Sequence, residues 1–235
     1  MPELSAVVLC YRAGRNSLKA VEPLYEQLRS AGLTFELVLV GNYWPGTDDE
    51  TPAIVEGFCR QHEHARCVTR PKEGGMGWDL RAGLEAARGD YLIVIDGDTQ
   101  NPVDDVLRMY REMKAAGFDV MKGRRTNRLD GTYRRVISLG YNVLFRIAFW
   151  TSGIWDINGK PKGLRRSAYD QMQLQSNDWF IDAEIVLAAR RLRLSIGEIP
   201  VVFSASERAS FVRVAAIGEF LKNMTHYRLG KFRGS

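Results

Sequence analysis

Two carboxylates stand one residue apart, Asp96 and Asp98, directly after the apolar run 91–95. Alternation along an extended chain predicts that both side chains point to the same side. Two negative charges so close repel each other unless a hard divalent cation or a proton lies between them. Gln100 continues the spacing with a third oxygen-bearing side chain, either as a cation ligand or as a turn residue. The pattern predicts a Mg²⁺ or Mn²⁺ site that shares its cation with a phosphate, and ordinary turn residues are the alternative.

Basic side chains are concentrated between residues 122 and 135, where six lysines and arginines face one acid, Asp130. The planar fork of arginine suits phosphate oxygens, so we interpret the cluster as phosphate-binding in preference to a solvated surface. It follows a predicted strand whose carboxyl end should reach the same crevice as Asp98. The cluster consists of Lys122, Arg124, Arg125, Arg128, Arg134 and Arg135.

Two later segments carry further candidate groups. The segment 156–165 reads as a cationic loop, in which Lys160 and Lys162 either neutralise a departing diphosphate or are ordinary loop lysines. Asp182 and Glu184 stand at the start of a predicted helix, where the helix dipole alone favours acids. Capping and catalysis therefore both remain open for this pair.

The elements that must position these residues alternate between short apolar runs and helical patterns, which indicates βαβ units and a largely parallel sheet. The first half has predicted strands at 6–11, 35–40, 66–69, 91–95 and 119–122, and predicted helices at 19–30, 52–61, 76–88 and 102–116. In the second half we predict helices at 133–151, 182–191 and 213–228 and a strand at 196–203. Asp96 and Asp98 thus end a strand, at the edge where open α/β sheets bind ligands.

The helix 102–116 has the clearest boundary signals. Asn101 is its predicted cap and Pro102 its first residue, and Gly117 can end it. Asp104 and Asp105 favour its N-terminal dipole.

Composition limits the class of protein. A chain of 235 residues with 45% hydrophobic content can bury one large core. We predict a single α/β domain over residues 1–212, followed by a C-terminal helix and basic tail at 213–235. The start of the chain lacks a signal-peptide pattern, no apolar run approaches the roughly 20 residues that cross a membrane, and the three cysteines lack metal-ligand spacing. These features predict a cytoplasmic protein.

A net charge of +5 favours anionic partners. Nucleic acid is disfavoured because the tryptophans 44, 78 and 179 are spread out and form no stacking platform with lysines. The predicted helix 133–151 is amphipathic and lies beside the basic cluster, and the C-terminus is basic as well. This combination predicts peripheral association with the inner face of the cell membrane, with core packing of the helix as the alternative. The apolar side chains of the helix are Val136, Leu139, Val143, Leu144, Ile147 and Trp150.

Two other enzyme classes fit less well. Phosphatases of the haloacid dehalogenase type also place two aspartates after a strand, but their signature has Thr or Val where Gln100 stands and belongs near the first strand. Nucleotidyltransferases have a Gly-rich first loop with an activating Arg and Lys, which the segment 11–14 does not match.

The order and spacing of the motifs resemble the inverting family 2 glycosyltransferases of the GT-A fold, and within them the polyprenyl-phosphate sugar transferases typified by dolichyl-phosphate mannose synthase. The resemblance covers residues from about 6 to 213. It is carried by the first strand with Tyr11, Gly74-Gly-Met-Gly77, Asp96-Gly-Asp-Thr-Gln100, Gly123-Arg-Arg125, Arg135-x-x-Ser138, Asp156-x-x-Gly159, and Gly197-Glu-Ile-Pro200 followed by Arg208.

The resemblance implies a Rossmann-like, mostly parallel sheet with helices on both faces. It also implies transfer of a sugar, with inversion, from a UDP- or GDP-linked donor to a polyprenyl phosphate. Asp96, Asp98 and Gln100 would surround the metal, with Asp98 the surest ligand. The implied nucleotide-sugar contacts are Tyr11, Asn42, Asp48, Gly77, Asp96, Gly97 and Asp98. The implied catalytic residues are Arg124, Arg125 and Asp182, and the implied acceptor and phosphate contacts are Arg135, Ser138, Lys160, Lys162 and Arg208.

Two loops depart from the family pattern. The Asp-Asp-Gly-Ser that usually meets the nucleotide base is replaced by the segment 41–48, where Asn42 or Asp48 is the candidate substitute. The usual Gly-Ser-Phe-Arg is Gly159-Lys-Pro-Lys162, which leaves the sugar and the acceptor open. A lipid monophosphate is already an anion at neutral pH, whereas a hydroxyl acceptor needs a base, for which Asp182 is the candidate. A catalytically degenerate sugar-nucleotide-binding protein is a further alternative.

Overall fold

The computed structural model describes residues 1–128, 132–149, 153–204 and 214–229, with the backbone alone for 127–128, 132–138, 141, 214–217 and 219–221. Within these ranges the strands are β1 (Leu4–Leu9), β2 (Phe35–Val40), β3 (Ala65–Val68), β4 (Tyr91–Asp96), β5 (Val120–Arg128), β6 (Lys162–Arg165) and β7 (Ile196–Phe203). The helices are α1 (Leu18–Ser30), α2 (Thr51–Gln61), α3 (Met76–Ala86), α4 (Asp104–Ala116), α5 (Thr132–Phe149), α6 (Arg166–Met172), α7 (Ile181–Arg191) and α8 (Val214–Arg228).

The strands form one sheet in the order β3-β2-β1-β4-β6-β5-β7. All pairings are parallel except those of β6, which runs antiparallel to β4 and β5. In the central pairing, Leu9 of β1 is the partner of Asp96 in β4, so these two strands end at the same edge of the sheet. The predicted mostly parallel α/β sheet is confirmed.

Alternating side chains of the central strands feed two separate cores, as expected for a sheet buried on both faces. One core joins the sheet to α1, α2 and α4 through residues such as Leu24, Phe58 and Val106. The other joins it to α3, α6 and α7 through residues such as Leu80 and Ile185. Helices therefore cover both faces, as predicted.

The main correction concerns the segment 156–165, which was predicted to be a loop throughout. Its last four residues form β6, inserted between β4 and β5. The strand is hard to see in the sequence because it begins with Lys162, yet this side chain is fully buried. Burial of a lysine requires an acidic partner, which comes here from α7.

A smaller correction concerns the start of α4. The helix begins at Asp104, and Asn101 does not cap it, because its buried side-chain amide makes no hydrogen bond. Asp104 and Asp105 do occupy the first turn, and Gly117 does end the helix in the left-handed conformation with φ 73°. Such a backbone favours glycine.

Helix α5 has one buried side and one exposed apolar side. Phe145 packs in a third core with Phe180, the residue before α7, and Met224 of α8. Leu139, Val143, Leu144 and Ile147, here called the α5 outer face, are exposed. The side chains of Val136 and Trp150 lie outside the described residues. Plain core packing therefore accounts for only part of this helix, and no helix in the described ranges has the length and apolarity to cross a membrane.

Candidate active site

The carboxylate pair lies at the carboxyl edge of the sheet. Asp96 is the last residue of β4, and Gly97 donates its N–H to the carbonyl of Leu9 at 2.9 Å. The chain then turns, with a φ of 63° at Thr99. Asp96 and Asp98 are therefore neighbours through a turn, and the predicted extended alternation over 96–100 is wrong.

The side chain of Gln100 is bonded to the end of β7. Its side-chain amide donates to the carbonyl of Ser204 at 3.0 Å, and its own carbonyl accepts the N–H of Ser204 at 2.9 Å. Its backbone N–H donates to the carboxylate of Asp98 at 3.0 Å. Gln100 thus ties the turn to the end of β7 through its side-chain nitrogen, and its role as a cation ligand stays a prediction.

Lys160 lies inside the site, against Asp96. Its Nζ is 3.3 Å from Oδ1 of Asp96, and the side chain is 4% exposed. Burial would lower the pKa of Lys160, but the charges of Asp96, Asp182 and Asp98 outweigh burial and raise this pKa above its ordinary value. Lys160 therefore carries a positive charge in contact with Asp96.

Lys162 and Asp182 form a buried ion pair below this point. Lys162 donates to Asp182 at 2.5 Å and to the carbonyl of Ile157 at 2.9 Å. Burial lowers the pKa of Lys162 to about 8. Burial would raise the pKa of Asp182, but the charges of Lys162 and Lys160 outweigh it and lower this pKa. A general base works best with a pKa near the working pH, so this arrangement does not prepare Asp182 for proton abstraction.

The two arginines of β5 have different surroundings. Arg125 holds Asp156 through two hydrogen bonds of 2.7 Å, and its backbone N–H donates to the same carboxylate. Burial would raise the pKa of Asp156, but Arg125 lowers it to about 2. Arg125 therefore anchors the loop after α5, and its role in catalysis stays a prediction.

Arg124 is exposed at the same edge, with its guanidinium 5.2 Å from the ring centre of Trp155. Arg146 of α5 lies 4.6 Å from the same ring. Trp155 is 53% exposed. Sequence reasoning missed Arg146 and Trp155, because nothing in their spacing shows that a helix and a distant loop converge on Arg124.

The chain ends of β1, β2 and β3 build a second polar cluster. Lys72 forms an ion pair with Asp79 in the first turn of α3, and its Nζ lies 4.3 Å from the ring centre of Tyr11. The amide of Asn42 donates to Asp79 at 2.9 Å and accepts the N–H of Arg70 at 2.9 Å. Asn42 is buried, so it supports this cluster from below, whereas Asp48 is exposed in the following loop.

Gly77, predicted to contact the nucleotide, has no room for a side chain, and its nucleotide contact stays a prediction. A Cβ at this position would lie 2.4 Å from the carbonyl oxygen of Ser176. The backbone N–H of the next residue, Trp78, donates to the carbonyl of Asn177 at 3.1 Å. Glycine is needed here because the start of α3 packs backbone to backbone on the loop before α7.

Three predicted acceptor residues cannot be placed. Arg208 and the side chains of Arg135 and Ser138 lie outside the described residues. Within the part of the chain that the structure describes, no three His, Cys, Asp or Glu side chains are grouped as a metal site. The carboxylates of Asp96 and Asp98 nevertheless supply the hard oxygen donors that Mg²⁺ and Mn²⁺ prefer, and phosphate oxygens and water can complete such a shell.

Comparisons with known proteins agree with this geometry. Among curated proteins, the chain is 28% identical over 207 residues to glycosyltransferase AglD of Haloferax volcanii, covering 85% of this chain and 32% of that protein. It is 25% identical over 215 residues to dolichyl-phosphate beta-glucosyltransferase ALG5A of Trichomonas vaginalis, covering 84% of this chain and 64% of that protein. The chain thus spans about a third of the length of the first relative and just under two thirds of the second.

A bacterial relative and a solved structure extend the comparison. The chain is 27% identical over 143 residues to the undecaprenyl-phosphate 4-deoxy-4-formamido-L-arabinose transferase of Pectobacterium carotovorum, covering 61% of this chain and 43% of that protein. The crystal structure of glucosyl-3-phosphoglycerate synthase from Mycobacterium tuberculosis, in complex with Mn²⁺, uridine diphosphate and glucosyl-3-phosphoglycerate, superposes with a TM-score of 0.72. This match covers 97% of this chain and 80% of that chain at 17% identity, and it shows the GT-A fold alone.

The family assignment follows from a match over most of the chain. The sequence profile described as Glycosyl transferase family 2 matches residues 5–173, which include β1 to β6 and the carboxylate pair. The chain therefore belongs to glycosyl transferase family 2.

Proposed function

We propose that this glycosyltransferase moves a sugar from a nucleoside diphosphate to a polyprenyl phosphate at a membrane surface, assisted by a divalent cation. The observation that carries the proposal is the carboxylate pair at the carboxyl edge of β4 in a family 2 domain. Relatives named dolichyl-phosphate and undecaprenyl-phosphate transferases support the acceptor class.

On the donor side, Asp98 would hold the cation, and Mg²⁺ or Mn²⁺ would supply positive charge to the diphosphate as it leaves. Tyr11 and Lys72 lie at the ends of the neighbouring strands, where a ring face and an ammonium suit a base and its attached groups. Asn42 and Asp79 hold Lys72 in place. This arrangement replaces the acidic loop that family members usually carry, and both UDP- and GDP-sugars are candidate donors.

On the acceptor side, the state of Asp182 favours a phosphate nucleophile. A phosphate monoester has a second pKa of about 6 and is an anion at neutral pH, so it needs no general base. Asp182 is 3% exposed and bound to Lys162, which suits a reaction in which no carboxylate removes a proton. An acceptor hydroxyl would require this pair to separate first.

The membrane part of the proposal rests on the α5 outer face. Its four apolar side chains lie on the same helix as Arg146, whose guanidinium contacts the ring of Trp155, as that of Arg124 does. An exposed apolar stripe beside guanidinium groups and an aromatic ring suits the boundary between anionic headgroups and acyl chains. Arg124 would then be the β5 arginine that meets the acceptor phosphate.

A thermal-shift screen tests the donor half. Binding to the folded state raises the melting temperature in proportion to the logarithm of ligand concentration over Kd. We expect one of UDP-glucose, GDP-mannose and their free diphosphates to raise Tm in the presence of Mn²⁺, and Asp98→Ala to abolish the metal-dependent part of the shift. If none of these nucleotides raises Tm, the proposal is overturned.

A transfer assay tests the acceptor half. Radiolabelled sugar from the donor identified by thermal shift should appear on a short-chain polyprenyl phosphate in the presence of Mn²⁺. A polyprenyl alcohol of the same length is the matched control and should remain unlabelled. Equal labelling of both lipids, or labelling of the alcohol alone, would contradict a phosphate nucleophile.

A further inference from the structure

Lys160 joins the loop that departs from the family pattern to the carboxylate pair. Its Nζ lies 3.3 Å from Oδ1 of Asp96, with 4% of the side chain exposed. The charges of Asp98 and Asp182 act on the same ammonium. A lysine in this place supplies positive charge at the point where a divalent cation would otherwise meet two carboxylates.

The main chain holds Lys160 in this position. A Cβ on Gly123 would lie 2.2 Å from the carbonyl oxygen of Lys160, and a Cβ on Gly159 would lie 1.8 Å from the carbonyl oxygen of Gly123. Gly123 also donates its N–H to the carbonyl of Pro161 at 2.8 Å. The loop is therefore packed onto β5 backbone to backbone, which fixes the main-chain position from which the Lys160 side chain reaches Asp96.

The net charge of the surrounding carboxylates and lysines determines how strongly the site attracts a divalent cation. The three carboxylates whose charges act on Lys160, those of Asp96, Asp98 and Asp182, are opposed by Lys160 itself and by Lys162, which is paired with Asp182. One unit of negative charge remains for an incoming divalent cation, and a fixed ammonium repels it. A diphosphate brings the negative charge that is missing.

We infer that Lys160 is a built-in counter-cation for Asp96, which makes binding of the divalent cation at Asp98 depend on the donor diphosphate. Lys160 is in this sense a positioning residue: it acts on the cation through Asp96 and through its own charge. The inference rests on the proposed function, because it presumes a cation shared with a diphosphate. Metal and nucleotide then strengthen each other's binding by the same factor.

Titration with Mn²⁺, followed by the electron paramagnetic resonance signal of the free ion, tests the inference on the full chain. We use whichever of UDP and GDP raises Tm in the thermal-shift screen. In the unaltered protein we expect the nucleotide to tighten Mn²⁺ binding by about tenfold or more, within the usual range of coupling between sites. Lys160→Met should tighten Mn²⁺ binding without nucleotide by about tenfold or more, because one positive charge close to the ion is removed. Lys160→Arg keeps the charge and should behave like the unaltered protein.

Two controls distinguish the local effect of the Lys160 charge from a change in the net charge of the protein and from a loss of folding. Lys222→Met removes one exposed positive charge from α8 and should leave Mn²⁺ affinity within about twofold of the unaltered protein, since exposed charges at a distance are screened. Asp96→Asn should weaken Mn²⁺ binding, but less than Asp98→Asn does, because it leaves the charge of Lys160 unopposed without removing the cation's ligand, and it should cancel the gain when it is combined with Lys160→Met.

Each outcome has a distinct meaning. Mn²⁺ binding that requires Asp98 and nucleotide but is not tightened by Lys160→Met would overturn the inference and leave the proposed function standing. The inference is also overturned if Asp96→Asn alone weakens Mn²⁺ binding as strongly as Asp98→Asn, a comparison that does not depend on the folding of a Lys160 variant. No Mn²⁺ binding by any protein, with or without nucleotide, would overturn the proposed metal-assisted transfer itself.

Discussion

Three buried lysines lie near the carboxylate pair, and each of them forms an ion pair with a carboxylate. They are Lys122 with Glu198, Lys160 with Asp96, and Lys162 with Asp182. Removing one member of a buried pair leaves an uncompensated charge and costs about 3–5 kcal/mol, whereas apolar replacement of both members is often neutral. These contacts therefore join β5 to β7, the loop before β6 to β4, and β6 to α7.

The pair of Lys162 and Asp182 gives a first residue-scale prediction. Asp182→Leu alone should lower the free energy of unfolding by about 3 kcal/mol, because a fully buried ammonium loses its partner. The double variant Lys162→Met with Asp182→Leu should recover most of this loss. Urea denaturation measures both, and equal destabilisation by the single and double variants would contradict the ion pair as the source of the effect.

The pair of Arg125 and Asp156 gives a pH-dependent prediction. The pKa of Asp156 is about 2 in the folded protein against an ordinary value of 3.8. Protons therefore bind the unfolded chain first as the pH falls, so the contribution of the pair is present above pH about 4 and is lost toward pH about 2. The shift corresponds to about 2 kcal/mol.

The measurement compares urea unfolding at pH 5 and in steps below pH about 4. Asp156→Asn should lose stability at pH 5 and show a shallower further loss on acidification than the unaltered protein. Asp170→Asn removes an exposed carboxylate that lies 4.0 Å from Arg166 and should keep the acid-dependent loss. Identical acid dependence in the unaltered and Asp156→Asn proteins would contradict the lowered pKa.

At the scale of elements, the contact between β5 and the loop before β6 is the tightest part of the site. Gly123 and the segment 159–161 leave no room for a side chain between them. The antiparallel ladder continues from this contact, with Lys122 opposite Lys162 in the register. The position of the loop is thus tied to the sheet at one point of the backbone.

Gly123→Ala tests this element-scale contact. The added Cβ would lie 2.2 Å from a backbone carbonyl, so β5 and the loop must separate. We expect a loss of about 2–4 kcal/mol in the free energy of unfolding, within the range for overpacking with backbone shifts. Gly140→Ala is the matched control, because a Cβ there meets no atom within 4 Å and alanine favours the helix by up to about 1 kcal/mol. Similar unfolding midpoints for the two variants would contradict the close contact.

The order of elements was predictable because the alternation of apolar runs and helical periods is a local signal. The strands 35–40 and 196–203 agree residue for residue with the prediction, and the others differ by a few residues at their ends, apart from β5, which extends six residues further. Strand β6 was not predicted because it begins with a lysine, which is rarely buried. Lys162 can be buried here only because its charge is paired with Asp182, twenty residues away in sequence. An ion pair of this kind forms only through tertiary structure, so the periodicity of apolar residues in the sequence does not reveal it.

The candidate site divides along the same line. The place of Asp96 and Asp98 at the sheet edge followed from the apolar run before them. The partners of Gln100, Arg125 and Lys160 did not, because each bonds to a segment that is distant in the chain. A sequence motif therefore locates the edge, whereas the folded chain decides which of its polar residues face a ligand.

At the scale of the whole molecule, the α5 outer face and the exposed Trp155 mark one side of the protein. The chain as a whole carries a net charge of +5. Apolar side chains beside arginines bind a surface that is apolar inside and anionic outside. The proposed membrane contact belongs to this scale because it requires several side chains of one helix at once.

Sedimentation with liposomes tests this contact. The protein should sediment with vesicles that contain anionic lipid and much less with neutral ones, because the arginines attract anionic headgroups. The test is done at low salt, since at 0.1 M salt exposed charges are screened beyond about 10 Å. Leu139→Glu combined with Ile147→Glu should reduce the bound fraction several-fold and leave Tm nearly unchanged, since both side chains are exposed. Val202→Glu alters an exposed apolar residue on β7 and serves as the control. Equal binding by the double variant would contradict the proposed face.

The strand order also bears on how such a chain can diversify. Tyr11, Asn42, Lys72 and Asp98, on the proposed donor side, all precede α4, whereas Arg124, Arg146 and Trp155, on the proposed acceptor side, all follow it. A single recombination event within α4 would exchange one specificity and keep the other. The contact of Lys160 with Asp96 crosses this junction, so a productive chimera must inherit a compatible residue at each end of it.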